Sequence, residues 1–256
     1  MKWSSAERRG CTMEKLYVPD RPVAPEGDSC VENLKRIRET MAQACLQAGR
    51  REEDVTLLAV TKTVEAARIN RAILSGVRHI GENRVQEFLG KRESLLLDDM
   101  DIHLIGHLQT NKVEKIVDKV DMIESIDSLR LAQAVDAAAQ RCGKRLDVLV
   151  EVNIGGEESK SGVAPDRLEE LLHECAALSS IHVCGLMTIP PISDKEKEKR
   201  EFFSRMHKLF IDIRDKNIDN ITMSILSMGM SSDYAEAILE GATMVRIGSA
   251  LFGARH

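Results

Sequence analysis

Residues 56–62 read TLLAVTK, a short apolar run that ends in a lysine. A run of this length with β-branched residues is typical of a buried β-strand. Because side chains alternate along a strand, Lys62 shares a face with Leu58 and Val60. Two interpretations of Lys62 are open. Its ammonium group reaches solvent from the end of a strand, or it lies at a pocket mouth and forms a Schiff base with a carbonyl compound.

The strand pattern recurs along the chain in alternation with helical spacing. Further strands are predicted at residues 79–83, 101–108, 122–126, 146–153, 182–189, 222–228 and 244–249. Helices are predicted from Ser29 to Gly49 before the first strand and, after every strand except the last, at residues 64–74, 85–89, 111–117, 128–139, 165–178, 201–213 and 232–239. Apolar strands alternating with helices indicate a parallel sheet covered by helices. The fold class predicted is α/β, a single (β/α)₈ TIM barrel with an N-terminal helix.

The alternative fold is an open doubly wound sheet, against which stands the lack of a GxGxxG motif after the first strand. We predict one barrel domain over residues 29–256. It follows a flexible leader, residues 1–28, in which Pro19, Pro22 and Pro25 disfavour a helix.

Composition excludes several functional classes. A formal net charge of -5, with 30% charged residues of both signs, argues against general binding of nucleic acid or anionic membranes. The sequence contains neither an apolar run of 18 residues nor a secretory signal pattern. Six dispersed cysteines without a CxxC pair are typical of reduced thiols, so a cytoplasmic protein is expected. The short barrel without an added domain favours a monomer.

In a TIM barrel the active face is formed by the C-terminal ends of the strands, and the loops after the last two strands often bind phosphate. Ser231 and Ser232 are predicted to open a helix there, and Gly248 and Ser249 follow in the last strand. Free N–H groups and hydroxyls at these positions suit an anion. The alternative is that the serines only cap a helix and that Gly248 only permits packing.

Arg246 shares a face with Gly248 by strand alternation. An arginine inside a barrel needs a partner, either a carboxylate such as Asp127 or Glu151, or a ligand ring nitrogen. A lysine on the first strand, a phosphate site and such an arginine together describe a pyridoxal 5′-phosphate (PLP) site. No metal site is expected, because on a strand His103 and His107 would lie roughly 13 Å apart.

The chain resembles the pyridoxal phosphate homeostasis proteins, whose barrel is similar to the N-terminal domain of alanine racemase. The segments that carry the resemblance run in order from residue 57 to 253: LLAVTK (57–62), GENRVQE (81–87), HLIGHLQTNK (103–112), ESIDS (124–128), VNIGGEESKSG (152–162), GLMTIPP (185–191), SMGMSSD (227–233) and VRIGSALFG (245–253).

The resemblance implies specific roles for residues of this chain. PLP would be held as an internal aldimine on Lys62, with Asn83 near the cofactor and Arg246 near the pyridine nitrogen. Ser231, Gly248 and Ser249 would hold the phosphate, and Met230 would line the site. The family's role is in vitamin B6 homeostasis without established catalysis, with apo PLP-dependent enzymes as partners.

Two alternative functions remain. One is a PLP-dependent racemase-like enzyme, although the tyrosine base that such racemases take from a partner subunit's added domain has no counterpart here. The other is a phosphate-handling barrel enzyme without PLP, in which Lys62 would form a Schiff base with a sugar-type substrate.

Overall fold

Eight parallel strands close into a barrel in the computed structural model, which describes residues 29–157, 160–191 and 195–253. In chain order they are β1 (Thr56–Val60), β2 (His79–Glu82), β3 (Asp101–Leu104), β4 (Met122–Ile126), β5 (Leu146–Glu151), β6 (Ile181–Met187), β7 (Ile221–Ser227) and β8 (Met244–Ile247). Each strand pairs with its neighbour in sequence, and β1 pairs with β8 from Thr56↔Met244 to Ala59↔Ile247. This closure confirms the predicted (β/α)₈ barrel and rules out the open sheet.

The helices cover the outside of the barrel. They are α1 (Ser29–Gln47), α2 (Ala66–Leu74), α3 (Val85–Lys91), α4 (Leu129–Arg141), α5 (Leu168–Ala176), α6 (Glu196–Arg214), α7 (Tyr234–Leu239) and α8 (Ser249–Phe252). The N-terminal helix α1 is confirmed, and it packs against α7 and α8. The predicted leader, residues 1–28, lies outside the described residues. Among those residues, no helix has both the length and the apolarity needed to cross a membrane.

Two apolar layers hold the barrel together. The larger one lies between the strands and the helices and includes Ala59, Ile80 and Phe88, which are fully buried. Inside the barrel, Leu58 and Val60 pack against other strand residues, as alternation along β1 requires. The face that Lys62 was predicted to share with these two residues is therefore the barrel interior.

Several predicted boundaries were wrong at the C-terminal ends of the strands. The first strand ends at Val60, two residues before Lys62, because the chain turns there and Thr63 adopts a positive φ of 59°. The last strand ends at Ile247, and Ser249 begins α8, a helix that was not predicted after the final strand. At only four residues, α8 is too short to show a helical period in the sequence.

Other helices also differ from their predicted limits. The segment predicted as a helix at residues 111–117 is a 3₁₀ helix, Thr110–Lys115. Helix α6 starts at Glu196, five residues earlier than predicted, because its first turns are charged and carry no apolar period. Helix α7 starts at Tyr234, so Ser231 and Ser232 do not open it, and Asp233 takes the capping position instead.

Candidate functional site

A cavity of about 470 Å³ lies at the C-terminal ends of the strands. Its volume falls within the range of small-molecule sites. The structure brings all the residues predicted for the site to this cavity: Lys62, Asn83, Met230, Ser231, Arg246, Gly248 and Ser249. Seven residues from four separate stretches of the sequence therefore share one site, as the topology of a closed barrel requires.

The backbone before Lys62 is fixed by charged groups beneath it. Nζ of Lys91 donates a hydrogen bond to the carbonyl oxygen of Thr61 at 2.7 Å and lies 2.9 Å from Oε1 of Glu82. The hydroxyl of Thr61 donates to the same carboxylate. Burial raises the pKa of Glu82, and the Thr61 hydroxyl and the Lys91 ammonium group oppose that rise.

Thr63, the residue after Lys62, is held by Glu87, a neighbour of the same Lys91. The backbone N–H of Thr63 donates to Oε1 of Glu87, at 2.5 Å, and that carboxylate also lies 3.0 Å from Nζ of Lys91. Lys62 is thus partly buried between two anchored residues and lines the cavity. These contacts fix the backbone from which the Lys62 side chain reaches the cavity.

Arg246 is buried and is held by neutral groups rather than by the carboxylates proposed from sequence. Nη1 donates to Oγ of Ser227 at 2.7 Å, and Nη2 donates to the carbonyl oxygen of Thr188 at 2.8 Å. Ser227 in turn donates to Oε2 of Glu124 at 2.6 Å, and Nδ1 of His103 lies 2.7 Å from Oε1 of Glu124. The barrel interior therefore holds a continuous polar chain from His103 to the cavity.

The negative charge of Glu124 balances the positive charge of Arg246 through the hydrogen bonds that Ser227 makes to both. Burial acts to raise the pKa of the Glu124 carboxyl, but the hydrogen bond from His103 and the charges of His103 and Arg246 hold the pKa below its usual value. Burial lowers the pKa of Arg246, and Glu124 opposes that change. Because arginine keeps its proton in proteins, Arg246 presents a fixed positive charge to the cavity.

Ser231 holds the backbone at the start of α8, which forms part of the cavity wall. Its hydroxyl oxygen accepts hydrogen bonds from the backbone N–H groups of Gly248 at 3.2 Å and Ala250 at 3.1 Å. These two residues flank Ser249, the first residue of α8. The backbone N–H of Met230 donates to Oδ1 of Asp233 at 2.6 Å, which fixes the turn that carries Ser231.

The two histidines considered for a metal have separate partners. His103 is buried against Glu124, whereas His107 is exposed at the cavity rim, 3.3 Å from Oδ2 of Asp127. The structure does not bring these two side chains to a common ligand position.

Glu151 is a buried carboxyl that lines the cavity, a role beyond the partnership with Arg246 that the sequence suggests. Burial and the negative charge of Asp127 raise its pKa to about 7, although Arg246 and His107 act in the opposite direction. Glu151 therefore exchanges a proton near neutral pH at the wall of the site.

Replacing Glu151 with glutamine is expected to change how stability depends on pH. The folded pKa lies above the ordinary value of 4.5, so the stability contributed by the protonated carboxyl is fully present below about pH 4.5 and is lost as pH rises to about 7. That interval corresponds to roughly 3 kcal/mol. We expect Glu151→Gln to unfold at higher urea than the unchanged protein at pH 8, and the two to converge near pH 4.5. The control is Glu174→Gln, on an exposed part of α5. Parallel pH profiles for the Glu151→Gln variant and the unchanged protein would contradict the prediction.

Sequence reasoning missed the residues that support the site. Glu124, Ser227 and Glu82 stand inside longer motifs that give them no separate role, and Lys91 lies outside those motifs. The available signal was a carboxylate inside a mostly apolar strand, as Glu124 is within MIESI (122–126). A charge at such a position requires a buried partner.

Comparison with known proteins gives consistent relatives. The family model of the alanine racemase N-terminal domain matches residues 32–256. Proteins named pyridoxal phosphate homeostasis protein from Aquifex aeolicus and Pseudomonas aeruginosa are 44% and 39% identical over 224 residues each. These matches span 88% of this chain, and 97% and 95% of the respective relatives.

Solved structures agree with the fold. A structure described as an unknown protein from Bifidobacterium adolescentis is 37% identical, with a TM-score of 0.83 over 91% of this chain and 100% of that one. The structure of PipY from Synechococcus elongatus PCC7942 with PLP bound is 33% identical, with a TM-score of 0.76 over 88% of this chain and 100% of that one. An alanine racemase of Clostridium difficile 630, 21% identical with a TM-score of 0.66, shares the fold over 57% of its length.

Proposed function

The chain belongs to the pyridoxal phosphate homeostasis protein family, and from that premise we propose that its barrel cavity holds PLP through Lys62. The observation that carries the proposal is the joint placement of Lys62 and the buried cation Arg246 on one cavity of about 470 Å³. An amine and a fixed cation suit a ligand that carries both an aldehyde and negative charge.

The polar groups of the cavity fit this cofactor. Its positively charged side chains are Lys62, Lys160 and Arg246, and the buried carboxyl Glu151 has a pKa raised to about 7. Hydroxyls and backbone N–H groups gather at Ser231 and Gly248. PLP supplies, when bound, an aldehyde that condenses with an amine and a ring that accepts electrons.

Each predicted site residue takes one part of the binding in this proposal. Lys62 provides the amine for the covalent link. Ser231, Gly248 and Ser249 hold the phosphate, since all three line the same cavity and lie next to one another. Arg246 donates to the ring nitrogen from the barrel interior and leaves that nitrogen unprotonated. The remaining two, Asn83 and Met230, line the walls.

We further propose that the protein stores and delivers PLP rather than catalysing a reaction. Of its two tyrosines, Tyr17 lies outside the described residues, and Tyr234 begins α7 and is not among the residues that line the cavity. An arginine at the ring nitrogen keeps the ring a weak electron acceptor, which suits storage better than transamination. Apo PLP-dependent enzymes are the proposed recipients, with a cytoplasmic monomer as the form that delivers the cofactor.

Covalent binding is tested by adding PLP to the purified protein and recording its near-visible absorbance. The proposal expects one PLP per chain, trapped by borohydride on the tryptic peptide that contains Lys62. If PLP is not retained after borohydride treatment and dialysis, the cavity does not hold it covalently.

Delivery is tested with an apo PLP-dependent enzyme. The loaded protein should reactivate the apo-enzyme faster than free PLP does at the same concentration. Equal rates would remove the delivery role while leaving the binding role intact.

The racemase-like alternative rests on a specific observation, because a carboxyl side chain, Glu151, and an imidazole side chain, His107, both line the cavity. It predicts that the loaded protein exchanges the Cα hydrogen of an amino acid for solvent deuterium. Absence of exchange across the common L-amino acids favours storage, and exchange would establish catalysis.

A further inference from the structure

A second cluster of polar side chains lies at the end of the barrel opposite the cavity. Asp147 on β5 and His182 and Cys184 on β6 each place one potential ligand atom within 4.8 Å of the other two. Nδ1 of His182 is 3.0 Å from Oδ1 of Asp147 and 3.2 Å from Sγ of Cys184. We propose that these three side chains bind a Zn²⁺ ion.

Strand register brings the three ligands together. Asp147 and His182 are directly paired across β5 and β6, close to the N-terminal ends of both strands. The pairing then shifts, so that Val148 opposes Val183 whereas Leu149 opposes Gly185, and Cys184 is the extra residue. His182 and Cys184 are two residues apart on β6 and share a face by strand alternation, so Sγ of Cys184 lies next to the His182 ring.

The donor set suits zinc. Thiolate, imidazole and carboxylate are its usual protein ligands, at roughly 2.0–2.3 Å from the metal. Ligand atoms at these radii on a tetrahedron lie roughly 3.3–3.6 Å apart, so a small outward movement of each side chain from its present hydrogen-bonded position creates the site. The side chains of Asp147 and His182 are 51% and 26% exposed, which gives the ion an entry path and leaves a fourth position for water.

The histidine is already oriented for a metal. Its Nε2 lies 2.9 Å from Oγ1 of Thr222 on β7. Metal-binding histidines generally donate their other N–H to such an acceptor, which fixes the ring and its tautomer. Nδ1 of His182 is then the nitrogen that faces both Asp147 and Cys184.

The thiol of Cys184 must lose its proton when the metal binds. Burial raises the pKa of Cys184 to about 12, and the charge of Asp147 acts in the same direction, while the guanidinium of Arg145 opposes them. The S–H bond breaks as the Zn–S bond forms, and the proton passes to solvent.

The position of the cluster favours a structural role. His182 is separated from Thr188, at the C-terminal end of β6, by six residues, a rise of roughly 20 Å. The N-terminal ends of barrel strands contribute to stability rather than to chemistry. A bound Zn²⁺ ion would join β5 to β6 by three bonds without contacting the cavity residues.

The test is a titration of the metal-stripped, full-length protein with ZnCl₂ by calorimetry and with CoCl₂ by absorbance. We expect one ion per chain, and for Co²⁺ a thiolate charge-transfer band and tetrahedral ligand-field bands that Zn²⁺ abolishes. Thr222→Val should weaken Zn²⁺ binding by about 10–100-fold. Cys184→Ser should weaken it by more than that, whereas Cys142→Ser, which changes an exposed cysteine elsewhere, should leave it unchanged.

A lack of stoichiometric Zn²⁺ binding would overturn the proposal and leave a hydrogen-bonded trio. Binding that is unchanged in both Cys184→Ser and Asp147→Asn would overturn it as well. If Cys184→Ser does not fold, Asp147→Asn decides alone, because its side chain is half exposed and its loss should be tolerated.

Discussion

Replacement of Lys62 with alanine is expected to abolish the near-visible absorbance that the protein acquires with PLP. The physical reason is that the amine forming the covalent link is lost. PLP held only as the free aldehyde absorbs at shorter wavelength than the aldimine and is removed by dialysis, so no long-wavelength band should remain. Lys62 is the lysine whose backbone is held on both sides, through Thr61 and Thr63. Spectra of PLP-treated protein before and after dialysis, with borohydride added to one half, make the comparison.

Lys160 supplies the matched control, because it is the other lysine that lines the cavity. It is exposed and lies next to residues 158–159, which are outside the described part of the chain. We expect Lys160→Ala to keep the absorbance at the intensity of the unchanged protein. A band that survives in Lys62→Ala and disappears only in Lys62→Ala/Lys160→Ala would assign the covalent link to Lys160 and contradict the proposal.

The sequence was sufficient to predict features that depend on local pattern. The period-two and helical spacings located eight strands, and barrel closure then required Lys62, Arg246 and Gly248 to share one end of the molecule. The predicted end of the first strand was less accurate, since the prediction put it at Lys62 whereas β1 ends at Val60. The turn at Thr63 depends on a hydrogen bond to Glu87 on α3. Local residue patterns cannot report a hydrogen bond between residues 24 positions apart.

Long-range partners were the main feature that the sequence could not provide. The sequence left two partners open for Arg246, a carboxylate such as Asp127 or Glu151, or a ligand ring nitrogen. Its bonds within the protein go instead to Ser227 and to the carbonyl oxygen of Thr188. The partners of Arg246 depend on which residues of the other strands lie at its level in the barrel. The register between strands decides this, and the sequence pattern does not report register. The same limit applies to Asp147 and His182, which are 35 residues apart and were never considered together.

Replacing Arg246 with methionine is expected to reduce the free energy of unfolding by about 3–5 kcal/mol, even without PLP. The side chain is 3% exposed, and its charge compensates that of the fully buried Glu124 through Ser227. Methionine fills a similar space but leaves the buried carboxylate without this cation and the Thr188 carbonyl oxygen without its donor. Urea unfolding of the PLP-free protein measures the change.

A surface arginine shows how much of the loss is due to burial. Arg200 lies 2.7 Å from Glu240 but is 48% exposed, so Arg200→Met should cost less than about 1 kcal/mol. An equal loss of unfolding free energy in Arg200→Met and Arg246→Met would show that the buried hydrogen bonds and charge of Arg246 contribute little to stability.

A double-mutant cycle then tests the electrostatic cause. If Arg246 acts by balancing Glu124, removing the carboxylate charge should matter less once the arginine has gone. Glu124→Gln should therefore destabilise the Arg246→Met variant less than it destabilises the unchanged protein. Additive costs would mean that the two charges do not interact, and that Arg246 is retained for its contacts with Ser227 and Thr188 alone. Coupling, by contrast, would mean that the charge facing the cavity is fixed from within the barrel, before any ligand binds.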